Sequence, residues 1–282
     1  LLAADPVSGA TRELLTERSA AWVSLNDELT FLEGSDQFIW SSSRTGFRHL
    51  YLYDTDGTLV RPLTSGEWNV VGDGGRRALK GVDEKRGLVY FTASAETPLE
   101  RHLYSVPLGS AERGMRRLTA EPGWHSVTMP EGARSFLDTW STPERPPSVT
   151  LRDADGRTID VLVPNDLDAA HPYARYLDEH VPTEFGTIRA ASGEELHYRI
   201  NRPRVPEPGR RYPVIVDVYG GPESQSVRRA WPNSARSNTG FFHQYLAQQG
   251  YVVFSLDNRG TGYRGTAFET ALHRKMGSVE VA

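Results

Sequence analysis

Apolar positions in the first half of the chain fall in short runs. Phe38-Ile39-Trp40-Ser41, Leu50-Tyr51-Leu52-Tyr53 and Leu88-Val89-Tyr90-Phe91-Thr92 are rich in aromatic and β-branched residues, which suit a pleated, packed surface. Between the runs lie turn clusters: Asp5-Pro6-Val7-Ser8-Gly9, Asp54-Thr55-Asp56-Gly57 and Asp153-Ala154-Asp155-Gly156. Aspartate bonds its own backbone and glycine accepts positive φ, so these clusters predict hairpin turns.

Two strings recur in the same order. Leu-Thr followed by Trp occurs at Leu15-Thr16…Trp22, Leu63-Thr64…Trp68 and Leu118-Thr119…Trp124. Arg-His-Leu-Tyr occurs at residues 48–51 and again at 101–104. A period of roughly fifty residues with short strands fits the blades of a β-propeller. About three blades fit before residue 165: a partial one at the start, one near 36–72 and one near 86–129, with more strands at 133–163. Propellers close with about four to eight blades, so the expectation is a fragment. A β-sandwich with coincidental repeats is the alternative. His49 and His102 fall at equivalent blade positions and read as structural. Trp22, Trp68 and Trp124 recur with the repeat and read as blade packing.

The pattern changes after Pro164. Residues 166–180 are polar and read as a connector. A strand, a turn and a strand follow over Phe185–Ile200. Tyr212–Tyr219 reads as a buried strand ended by Gly220-Gly221-Pro222. Phe241, Phe242, Tyr245 and Leu246 predict one apolar helix face closed by Gly250. Tyr251–Leu256 is a further buried strand, and a second helix is predicted near 266–276. Strands alternating with helices predict a parallel, helix-covered sheet. Chemistry in such sheets gathers at the carboxyl ends of strands, where Tyr219 and Asp257 sit.

Lys+Arg 32 against Asp+Glu 36 leaves a net charge of −4. That near-balance excludes the basic footprint of a nucleic-acid binder. No cysteine is present, which excludes disulfides, thiolate zinc sites and a cysteine nucleophile. The eight histidines show no metal-ligand spacing such as His-Glu-x-x-His, and no metal or cofactor is expected. No apolar run is long enough to span a bilayer. The start has no Met and no signal-peptide pattern, which again reads as a cut.

Arg211-Tyr212-Pro213-Val214-Ile215-Val216-Asp217-Val218-Tyr219-Gly220-Gly221-Pro222 resembles the early strand of the prolyl oligopeptidase family of serine peptidases. Leu256-Asp257-Asn258-Arg259-Gly260-Thr261-Gly262-Tyr263 is similar to the next strand end. Gly277-Ser278-Val279-Glu280-Val281 resembles the segment that the dipeptidyl-peptidase IV branch carries before its nucleophile. Trp124-His125-Ser126 and Asp138-Thr139-Trp140-Ser141, with Pro146-Pro147, resemble the last propeller blade of bacterial members.

The resemblance implies blades over 1–165, then a connector and the N-terminal part of an α/β-hydrolase domain over 166–282. It implies a parent enzyme that releases N-terminal dipeptides with Pro or Ala second, acting on peptides and not nucleic acid. A homodimer and a periplasmic or secreted location are compatible with it. No Gly-x-Ser-x-Gly elbow occurs in the chain, and the acid and His follow the Ser in this fold. The chain alone is therefore expected to be inactive. The paired Glu that bind a substrate amine are expected in an earlier blade. By the motif match, Tyr219 corresponds to the family's oxyanion tyrosine; the alternative is a core tyrosine capping a buried strand. Asp257 and Arg259 are expected to shape the loop or to form a local ion pair. A related oligopeptidase or acylaminoacyl-peptidase, and a non-catalytic propeller module, stay open as alternatives.

Overall fold

The computed structural model describes residues 1–24, 28–72, 77–109, 114–232 and 239–281. A hairpin of β1 (Leu2–Ala4) and β2 (Thr11–Glu13) comes first. Three four-stranded antiparallel sheets follow, each in chain order. The first holds β3 (Thr30–Phe31), β4 (Gln37–Ser42), β5 (His49–Asp54) and β6 (Leu59–Pro62). The second holds β7 (Leu79–Asp83), β8 (Leu88–Ala93), β9 (His102–Pro107) and β10 (Arg116–Arg117). The third holds β11 (Trp124–Thr128), β12 (Ser135–Ser141), β13 (Ser148–Asp153) and β14 (Thr158–Val163).

These meanders pack face to face as propeller blades. In the middle blade, Val89, Phe91 and Tyr104 join Ile39, Leu50 and Leu52 of the first blade in one core. Tyr90 and Leu103, on the opposite pleat, join Val127 and Phe136 of the third. Successive side chains point to opposite faces, so a strand covered on both sides needs a continuous apolar run, not alternation. The same logic puts Phe38, Trp40, Tyr51 and Tyr53 against Leu1 and Leu15 of the opening hairpin.

The repeated strings lock each blade to its own outer strand. Thr64 Oγ1 lies 3.0 Å from His49 Nδ1 and accepts the Leu50 N–H at 3.0 Å. Thr119 Oγ1 repeats both contacts with His102 Nδ1 and the Leu103 N–H, at 3.0 and 3.1 Å. Leu63 and Leu118 donate their N–H groups to Leu50 and Leu103. Each Leu-Thr therefore follows an outer strand and marks the crossing to the next blade. The expected frame near 86–129 straddled that crossing; residues 124–163 form one complete blade instead. Trp68 meets the His49 ring edge-on at 4.9 Å, and the Arg101 guanidinium lies 4.6 Å above Trp124.

Beyond β14, a 3₁₀ turn (Ala174–Glu179) leads to a second kind of sheet. It contains β15 (Thr183–Arg189), β16 (Glu195–Asn201), β17 (Val214–Asp217) and β18 (Val252–Leu256), in the order β15-β16-β18-β17. Only β17 and β18 are parallel; β16 runs antiparallel to both its neighbours. The wholly parallel expectation is thus corrected to a mixed sheet, because β15 and β16 join by a tight hairpin with no crossover helix. Between β17 and β18 lies α1 (Thr239–Gln248), closed by Gly250 at φ 88°.

Helix α1 does not bury the expected face. Phe242 and Tyr245 are exposed, while His243, Gln244 and Ala247 are buried. The Gln244 amide explains the inversion: it accepts the Val181 N–H at 2.7 Å and donates to the Val181 carbonyl at 2.8 Å. The second helix is shorter than expected. α2 spans Thr266–Glu269 and continues only as a 3₁₀ turn to Leu272. Among the described residues no helix is long and apolar enough to cross a membrane.

Candidate active site

Strands β17 and β18 run side by side with Asp217 opposite Ser255, so both chains leave the sheet at the same carboxyl edge. Tyr219 follows β17, and Asp257 follows β18. The Tyr219 side chain is 62% exposed and belongs to no core here. Gly220 turns the backbone at φ 78°. A Cβ on Gly221 would sit 2.8 Å from the Tyr219 ring, so the glycine pair lets the chain fold tightly beneath the phenol.

The segment after the glycines is stitched to the Asp257 loop. The Glu223 N–H donates to the Gly260 carbonyl at 3.2 Å. Asp257 Oδ1 accepts the Ser226 N–H at 2.8 Å, and Oδ2 accepts the Val227 N–H at 3.1 Å. Asp257 is buried, and that burial pushes its carboxyl up to about 6 against the pull of the two N–H donors. Glu223 and Tyr263 both hold positive φ, at 65° and 69°, a conformation that non-glycine residues adopt at a cost. A Cβ on Gly262 would meet the Glu223 carbonyl oxygen at 2.9 Å. The two loops therefore interlock through backbone.

The expected ion pair between Asp257 and Arg259 is absent. Asp257 turns to backbone N–H groups, and Arg259 turns away to donate to the Val279 carbonyl at 3.0 Å. Three further features were not announced by the sequence. Asp217 Oδ2 stands 3.3 Å from His243 Nε2 and accepts the Ser255 hydroxyl at 3.4 Å. Glu100 of the middle blade reaches Arg229. A cavity of about 260 Å³ opens between residues 17–24, the turn after β4 and α2, lined in part by Trp22, Arg48 and Glu269. Trp22 thus faces a cavity, edge-on to His273 at 6.0 Å, unlike the packed Trp68 and Trp124. These pairings span up to 129 residues, and no local pattern announces them.

A developing oxyanion needs a hydrogen-bond donor held in place where the charge forms. A phenol on a loop braced from two sides can serve as one. The sequence profile of the dipeptidyl peptidase IV N-terminal region matches residues 1–147, and that of the prolyl oligopeptidase family matches residues 238–282. The chain belongs to the prolyl oligopeptidase family, in its dipeptidyl peptidase IV branch.

Relatives within this branch match most or all of the chain. A probable dipeptidyl-aminopeptidase B of Emericella nidulans is 32% identical, covering 94% of this chain and 29% of the relative. Human dipeptidyl peptidase 8 is 30% identical, covering all of this chain and 34% of the relative. The crystal structure of Porphyromonas gingivalis dipeptidyl peptidase 4 superimposes with a TM-score of 0.82 at 28% identity, over 99% of this chain and 37% of that one. The chain spans about a third of the length of the relatives it matches. That superposition covers both the blades and the mixed sheet of this chain.

Proposed function

We propose that this chain is the part of a dipeptidyl-releasing serine peptidase that carries the oxyanion tyrosine. In this reading residues 1–165 are propeller blades, and residues 166–282 are a connector and the first strands of the hydrolase domain. Tyr219 points its hydroxyl at the carbonyl oxygen of the scissile bond and strengthens that hydrogen bond as the tetrahedral O⁻ forms. The single observation that carries the reading is the exposed Tyr219 at the carboxyl edge, beside a loop braced by the buried Asp257. The 282 residues contain no Gly-x-Ser-x-Gly, so they contribute the oxyanion side of the site and not the nucleophile.

Substrates in this reading are peptides with a free amine and Pro or Ala second, and the active form is a homodimer. The test uses the complete translation product of the gene. It is assayed for dipeptide release from Ala-Pro and Gly-Pro anilides, with sedimentation for the dimer. Release blocked by a serine-reactive phosphonate supports the reading, and the 282-residue chain alone is expected to show none. A complete product that cleaves only blocked or internal peptide bonds overturns the exopeptidase assignment.

A further inference from the structure

The two repeated histidines differ at one ring nitrogen, and there the second blade meets the segment that follows Tyr219. In the first blade, His49 Nε2 lies 2.9 Å from the Gly66 carbonyl, a backbone acceptor. In the second blade the same nitrogen of His102 lies 3.1 Å from a side chain, Glu100 Oε2. Since Thr119 occupies Nδ1, the His102 Nε2–H donates to Glu100. The other carboxylate oxygen, Oε1, accepts from the Arg229 guanidinium at 2.9 Å. Glu100 is buried, and the His102 hydrogen bond holds its carboxyl down to about 2. It is therefore charged at neutral pH.

Arg229 belongs to the segment that follows Tyr219. That segment touches the blades at several points: Gln225 Nε2 donates to the Pro98 carbonyl at 2.6 Å, and the Arg229 N–H donates to the Leu99 carbonyl at 2.9 Å. The Arg228 guanidinium lies 5.1 Å above Trp124, and the Trp231 N–H donates to Ser141 Oγ at 3.2 Å. Its opposite side is held by Gly260 and Asp257, as described above. Residues 223–231 are a strap between the propeller and the end of β18.

We propose that Glu100 is a positioning residue for the oxyanion loop: through Arg229 it ties the strap to the second blade and thereby fixes Tyr219. The inference rests on the functional reading above and goes beyond it, because it gives a propeller residue control over a hydrolase loop. Removing the tie loosens the loop without touching substrate, and misplacement of a catalytic donor by about 1 Å can cost about 100-fold. The loss falls on the transition state and leaves ground-state binding largely alone.

The test compares the complete translation product with Glu100→Gln, Arg229→Gln, the double variant and Arg229→Lys. Glu121→Gln, which breaks an ion pair inside the third blade, controls for general loss of stability. Two readouts are taken: kcat and KM on an Ala-Pro anilide, and amide hydrogen exchange over residues 223–231. The expected result for each single variant is a kcat lower by about 10-fold or more, with KM within about twofold and faster exchange of the strap. The double variant is no worse than the worse single one, Arg229→Lys recovers part of the loss, and Glu121→Gln leaves the strap unchanged. Unchanged strap exchange in Glu100→Gln overturns the proposal, as does a double variant whose losses multiply. If the wild-type product releases no dipeptide, the functional reading fails, and exchange alone then decides whether the tie exists.

Discussion

Asp257 and Val227 stand thirty residues apart in the chain, and the Val227 N–H donates to the Asp257 carboxylate with nitrogen 3.1 Å from Oδ2. That bond makes the end of one strand a support for the loop that leaves its neighbour. The carboxylate spends its acceptor capacity on backbone, which explains why it ignores the nearby Arg259.

Asp257→Ala leaves the Ser226 and Val227 N–H groups without their acceptor in a closed environment. Each such orphaned group costs about 1–3 kcal/mol. Asp257→Asn keeps one oxygen and is expected to lose less. Denaturant midpoints of the two variants check this, with the alanine variant lower.

The blade locks make a paired prediction. Thr64→Val and Thr119→Val keep the side-chain shape and remove one hydroxyl. Each leaves a buried histidine Nδ1 and a leucine N–H unsatisfied, at a cost of about 1–3 kcal/mol per orphaned group. The two losses are expected to be similar, because the geometry is the same in both blades. A melting temperature unmoved by either change would show that the repeated strings have another cause.

Much of this fold was legible in the sequence because its signals are local. The three Asp-containing turns close hairpins, and the apolar runs of the blades are strands covered on both faces; the run at 212–219, expected to be buried, is instead an edge strand with Val214, Val216 and Val218 exposed. Tyr219 and Asp257 were placed at strand ends by the glycine clusters that follow them. What escaped was non-local. The frame of the blades depends on which strand Thr64 and Thr119 reach back to. The buried face of α1 depends on Gln244 finding the Val181 backbone, which outweighs the apolar appeal of Phe242 and Tyr245. The tie from Glu100 to Arg229 joins a blade loop to the strap across 129 residues of chain.

Glu269 gives a pH-dependent prediction. Burial, reinforced by the neighbouring Glu223, pushes its carboxyl up to about 7 from an ordinary 4.5. The folded chain therefore binds this proton more tightly than the unfolded chain does. Its contribution is fully present below about pH 4.5 and is lost as pH rises through 7. Glu269→Gln mimics the protonated form, so it is expected to be neutral near pH 4 and stabilising near pH 8. Melting curves at the two pH values decide it; equal shifts at both would show that Glu269 titrates normally.

The most direct measurement is kcat for Tyr219→Phe in the complete translation product, with KM and melting temperature taken alongside. The substitution keeps the ring and removes only the hydroxyl donor. If Tyr219 stabilises the oxyanion, kcat falls by about 10²–10³, or roughly 2.7–4 kcal/mol, while KM and the melting temperature barely move. A kcat loss below about tenfold with an intact fold would contradict the assignment.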